Sequence, residues 1–175
     1  MEDTAFASTL RLILVRELGA VRRSVEAYPD DASVWRVPAG LPNSGGTLVL
    51  HIAGNLQHFL GTVLGASGYQ RNREAEFARR DVPRAELVAE VDGAIAAVER
   101  ALGAALDVRR AYPEPVGGRT LRTGDFLLHL TSHLAFHLGQ LDYHRRVVTG
   151  DARNVGAIAL GDLPAADDVA LNKRA

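Results

Sequence analysis

Apolar residues recur three or four positions apart along four separate stretches of this chain, and no stretch alternates with the period of two that a half-buried strand needs. In the first, about 3–27, Leu10, Leu14, Leu18 and Val21 keep helical spacing. Tyr28-Pro29 ends it, because the residue before a proline avoids the helical region. The second, about 47–64, carries Leu48, Ile52, Leu56, Phe59 and Val63, with Ser44 placed to cap it. The third, about 82–105, reads as starting on an Asp81 cap with Pro83 in its first turn, followed by Leu87, Val91, Ile95, Val98 and Leu102. The fourth, about 124–149, has Asp125 near the positive end of the helix dipole and Gly150 as its stop. These helices predict an all-α, four-helix bundle in a single domain over 1–175. Its expected core is Leu14, Leu18, Ile52, Leu56, Val91, Ile95, Leu130, Leu134 and Leu141. The stretches 29–46 and 65–81 read as connections, and 151–175 as a weakly patterned tail.

Composition narrows the chemistry. The chain has no cysteine, so disulfides, thiolate metal ligands and a cysteine nucleophile are excluded. Its formal net charge is -1. The arginine pairs Arg71/Arg73, Arg79/Arg80, Arg109/Arg110 and Arg145/Arg146 mostly stand near acids, so they read as a solvated surface with no nucleic-acid partner. The N-terminus has acids before its apolar run and no basic segment, which argues against a signal peptide. No apolar run approaches the ~20 residues of a membrane span. The expected location is cytoplasmic.

The histidines fall in two of the helices: His51 and His58 in the second, and His129, His133, His137 and His144 in the fourth. Residues four apart share a helical face, so His129/His133 or His133/His137 can grip one ion. His129 and His137 cannot, because eight residues span about 12 Å of rise while zinc–nitrogen bonds are about 2.0–2.1 Å. The same argument separates His51 from His58. A site would take one pair from the fourth helix and one histidine from the second. Three neutral imidazoles with an open fourth position are a catalytic arrangement for zinc, and they also suit nickel or iron. His144, beside Arg145 and Arg146, reads as exposed at the helix end, where the dipole favours it.

The string HLTSHLAFHLGQLDYHRR from His129, together with HIAGNLQHF from His51, resembles the DinB-like (YfiT-like) metalloenzyme family. RNREAEF ahead of the third helix is also similar to that family's segment at this place. The resemblance implies a four-helix bundle holding one divalent metal on three histidines. The first lies in helix two and the others in an HxxxHxGQ-type motif. These positions are His51, His133 and His137 here. His129 is then a neighbour that lines the cavity, and Asn55 and Gln140, each about one turn from a ligand, are candidates to orient a ligand or substrate. Characterised members imply a transferase or isomerase that uses a low-molecular-weight thiol, and pairing of helical bundles implies a homodimer.

Such a site can lower the pKa of bound water toward about 7, or bind an external thiol as thiolate. Hydrolysis also needs a general acid or base. There is no HExxH motif, Asp142 projects about 140° around the helix from His137, and Glu17, Glu74 and Glu76 are unsupported candidates. The expected activity is therefore a thiol S-transferase acting on an electrophilic substrate, with a hydrolase or a non-catalytic metal-binding bundle as alternatives.

Overall fold

The computed structural model describes residues 3–163, so the rest of the tail lies outside the described residues. Its four long helices are α1 (Asp3–Glu26), α3 (Gly45–Leu56), α5 (Arg84–Leu102) and α6 (Thr123–Thr149). α1 packs against both α5 and α6, and α3 packs against the same two, so α1 and α3 occupy opposite corners. The leucines spaced along α1 are buried between them: Leu10, Leu14 and Leu18, with Val21 and Val25 continuing the line. Every expected core residue is buried except Ile95, which packs half-buried against the core. Among the described residues there is no β-strand, and no helix is long and apolar enough to cross a membrane.

Both connections contain a short helix. α2 (Asp31–Trp35) lies in the first and α4 (Arg73–Ala78) in the second. Neither is long enough to display a 3.6-residue period, and their caps are the only local signal. The Asp30 carboxylate accepts from the Ser33 backbone N–H at 2.7 Å, and the Asn72 side chain accepts from Ala75 at 2.9 Å. The Trp35 indole donates to the Val82 carbonyl at 2.9 Å, which ties α2 to the start of α5.

Helix boundaries follow the sequence with two corrections. Ser44 caps α3 through Thr47, and Gly150 stops α6 in the left-handed region with φ 70. Asp81 does not cap α5. It has φ 56, and the cap position belongs to Pro83, whose carbonyl takes the first helical bonds from Glu86 and Leu87. The second helix also changes pitch. After Leu56 it continues as a π-helical turn, Gln57–Thr62, which the Tyr112 hydroxyl braces by donating to the Phe59 carbonyl at 2.6 Å.

The end of α6 overturns two expectations. His144 is only 1% exposed. The Arg36 carbonyl can only accept, so His144 Nε2 donates to it at 2.9 Å, and Nδ1 accepts from the Tyr28 hydroxyl at 2.6 Å. Burial lowers the His144 pKa and keeps the ring neutral. Arg145 is fully buried rather than solvated. Its guanidinium donates to Asp142 at 2.8 Å and to the carbonyls of Asp151 and Arg153 at 2.9 and 2.6 Å. The chain that wraps over the last turns of α6 supplies the two carbonyls, and adjacent residue types carry no sign of such a wrap.

Arg145 and Arg146 share Asp142, yet they should differ in weight. Arg145→Ala leaves buried carbonyls and part of the Asp142 charge unpaired, and should cost about 3–5 kcal/mol in urea unfolding. Arg146, about a third exposed, should cost under about 1 kcal/mol on removal. Equal losses would show that the buried guanidinium does not hold this end of the bundle.

Candidate metal centre

His51 projects from the middle of α3, a helix buried along its whole length, and His133 and His137 project from adjacent turns of α6. Packing of α3 on α6 brings one nitrogen of each ring within 4.8 Å of the others. His133 Nε2 lies 3.4 Å from His51 Nε2 and 3.1 Å from His137 Nε2. Nitrogens on a tetrahedral ion with bonds of about 2.0–2.1 Å would stand about 3.3 Å apart. The ring planes cross at 71°, 89° and 77°, so each ring offers its edge to the centre rather than its face.

Outer-nitrogen partners favour one tautomer for two of the three rings. His51 Nδ1 donates to Glu76 Oε2 at 2.9 Å, and His137 Nδ1 donates to Gln140 Oε1 at 2.7 Å. Each Nε2 is then a lone pair facing its neighbours, the arrangement that orients imidazoles toward a metal. Burial lowers the His133 pKa to about 4, with the nearby His137, His51 and His129 rings and Arg71 adding to the effect. Burial also lowers His137, against the opposing hydrogen bond that its Nδ1 donates to Gln140. All of this favours the neutral ligand form. The three residues fit a divalent ion.

Glu76 is the residue whose role the sequence left open. It is buried on α4 and accepts three bonds. Arg71 Nε reaches Oε1 at 2.7 Å, and Oε2 takes Arg71 Nη2 and His51 Nδ1, both at 2.9 Å. Burial alone would raise its pKa, but the bonds from His51 and Arg71 outweigh that and hold it below the usual value. Gly54 makes the approach possible. A Cβ there would overlap the Glu76 carboxylate, coming within 2.9 Å of its Cδ. The Arg71 guanidinium also lies 5.6 Å from the centre of the Phe59 ring on the π turn, so the clamp is anchored at both ends.

The other sequence candidates divide. Gln140 contacts His137 directly. Asn55 lies one turn beyond His51 and is buried, and its Oδ1 has no hydrogen-bond partner among the described residues. His129 is exposed and stacks on Phe126 with 13° between planes, its ring centroid 6.1 Å from that of His133. It is not among the converging nitrogens. His58 is turned away to Glu114 at 3.1 Å, so the second-helix histidine that meets His133 and His137 is His51. Asp142 pairs with Arg145 and Arg146, as its angle around the helix suggested. Phe77 and Phe136 flank the centre, with ring centroids 4.9 Å from His51 and 5.3 Å from His137. Glu76 left only a faint trace in the sequence: Asn72 followed by Glu74 and Glu76 is a helix-start signal inside an apparent loop.

An all-helical bundle carrying three convergent histidines that could hold a metal ion is the class that fold and geometry define. The DinB superfamily profile matches residues 13–141, which include all three histidines, and the chain belongs to that superfamily. Comparison with curated proteins and with solved structures gives no match.

Two outcomes are expected. His133→Ala and His137→Ala should abolish metal retention in elemental analysis, whereas Glu76→Gln should keep the site but weaken it by about 10–100-fold in chelator competition. Gly54→Ala should resemble Glu76→Gln by displacing the same carboxylate. Unaltered affinity in both would remove Glu76 from the centre. The second outcome concerns pH. His133 has a lower pKa folded (about 4) than unfolded (about 6.5), so the unfolded chain takes up the proton first. Metal-free protein should therefore lose stability as pH falls from about 6.5 to about 4, with a shallower slope in His133→Ala. A flat urea midpoint over that range would contradict the burial of neutral imidazoles.

Proposed function

We propose that this protein is a metal-dependent thiol S-transferase, in which His51, His133 and His137 hold one divalent ion, zinc before nickel or iron. The observation that carries this reading is that the buried carboxylate beside the histidines is already committed. Both oxygens of Glu76 are taken by Arg71 and His51, and its lowered pKa makes it a poor proton acceptor. Among the described residues no carboxylate joins the three nitrogens. Hydrolysis needs a base for its water, whereas an external thiol needs only to lose its own proton.

The ion, when bound, supplies the Lewis acidity that favours a coordinated thiol as thiolate at neutral pH. The chain supplies the rest. Glu76 and Gln140 fix the ring orientations of His51 and His137. Phe77 presents an apolar wall beside His51. In the transfer, the thiol sulfur forms a bond to an electrophilic carbon of the second substrate, whose leaving group departs with the bonding electrons, while the thiol proton passes to solvent. With no cysteine in the chain, the sulfur must come from a cosubstrate.

Cobalt-substituted protein tests this, because its visible spectrum gains sulfur-to-metal absorption when a thiolate joins the coordination shell. The expected result is saturable absorption with at least one low-molecular-weight thiol, and transfer of that thiol to a simple electrophile, both lost in His133→Ala. An unchanged spectrum across a thiol panel, together with ester or amide hydrolysis by the loaded protein, would favour the hydrolase.

A further inference from the structure

Gln140 has two neighbours. One is His137. The other is a cavity of about 370 Å³ between α6 and the segment that leads into α3. Leu48 lines it from α3, one turn ahead of His51, and Leu41 and Pro42 form the opposite wall. Tyr143 and Val147 extend it along α6 and are 74% and 63% exposed. No charged side chain lines it. His144 contributes only its ring, since both of its nitrogens are bonded elsewhere. The polar groups left over are the Tyr143 hydroxyl and two carboxamides, Asn43 and the NH2 of Gln140, none of which has a side-chain hydrogen-bond donor role among the described residues.

Gly139 bears on whether this space is meant to stay open. A glycine inside a long helix costs about 1 kcal/mol relative to alanine. Gly150 and Gly54 repay that kind of cost by conformation and by close approach, but a Cβ at Gly139 would meet nothing within 4 Å. Nothing in the chain's own packing requires the glycine. What it does is keep the cavity wall low. The concave shape, the volume and the apolar lining with a few polar groups are those of a small-molecule site rather than of a flat protein-docking face.

We propose that this cavity binds a small, uncharged, mainly apolar molecule carrying a hydrogen-bond acceptor, and that Gln140 links its occupancy to the three-histidine centre. The geometry gives the link a sign. A ligand acceptor that takes a hydrogen bond from the Gln140 NH2 holds the carboxamide with Oε1 toward His137. That keeps the proton on His137 Nδ1 and the lone pair on Nε2. Ligand and metal therefore strengthen each other, and the effect is the same read from either site. The link rests on the metal reading of the centre; the cavity does not.

The neutral fluorophore prodan, which is apolar and has a ketone acceptor, is a suitable probe for the full-length protein. Expected is saturable one-to-one binding with blue-shifted emission, at least about 5-fold tighter in metal-loaded than in chelator-treated protein. Gly139→Leu, which fills the cavity from α6, and Leu41→Asp, which places a charge on the opposite wall, should each weaken binding at least about 10-fold without altering metal stoichiometry or helical circular dichroism. Gln140→Leu should bind the probe equally with and without metal. Absence of saturable binding, or binding unaffected by both wall variants, overturns the site. So does light scattering that finds a dimer which must dissociate before the probe binds, since a second copy would then be the occupant. Equal affinity with and without metal in the wild type overturns the link. Probe binding to metal-free protein involves no thiol and no turnover, so failure here and failure of the transferase reading are separately visible.

Discussion

The hydrogen bond from His51 to Glu76 is the contact on which the centre depends. Three imidazoles turned toward one another in a half-dry space are unfavourable company, because lone pairs repel and a proton placed among them can serve only one pair. Fixing the protons on the outer nitrogens resolves this. Glu76 does so for His51, and it can remain ionised in a buried position because Arg71 gives it two further bonds. A buried carboxylate with fewer partners would take up a proton rather than stay charged. Arg71 in turn lies over Phe59, so the electrostatic chain ends on an aromatic face rather than in open solvent. Local sequence supports every link: an Asn72 cap starts α4, Gly54 clears the space, and the π turn carries Phe59.

Legibility in the sequence followed distance along the chain. The helical spacing of Leu10, Leu14 and Leu18 is local and could be read directly, whereas the four-residue spacing in the fourth helix offered both His129/His133 and His133/His137, and the family resemblance chose the second. Choosing His51 over His58 needed the family resemblance, because rise along a helix separates the two without ranking them. The structure supplies the physical reason: the pitch changes at Gln57, and His58 is drawn to Glu114. Glu76 could be named only as an unsupported candidate, since its partner lies 25 residues away and the short helix that carries it has no period to detect.

The misreadings at Asp81, His144 and Arg145 share one origin. Each rested on residue type in a local frame; a positive backbone φ decided the first, and chain packed over from elsewhere decided the other two. An aspartate two residues ahead of a proline looks like a cap, but the backbone turns through positive φ there and the cap falls on Pro83. Basic residues at the end of a helix look solvated, but the segment before α3 crosses over His144 and the segment after Gly150 folds back on Arg145. Polar residues become buried wherever a wrap brings carbonyls to them, and one residue's neighbours in sequence do not report that.

The separation between core and centre bears on what a metal would do for this chain. The residues that exclude water most completely, among them Leu14, Leu18, Leu56, Leu87, Leu127 and Leu134, lie where α1 and α3 meet α5 and α6. The histidines occupy the α3–α6 seam beside α4, and two of the three are only half-buried. Burial of the leucine core at roughly 1.5–3 kcal/mol per side chain does not pass through the centre. A structural zinc module has the opposite design, with too little apolar surface to fold unaided and four protein ligands closing the ion. Here the apolar core is continuous without the histidines, so the energy a metal adds is available for orienting a ligand rather than for holding the helices together.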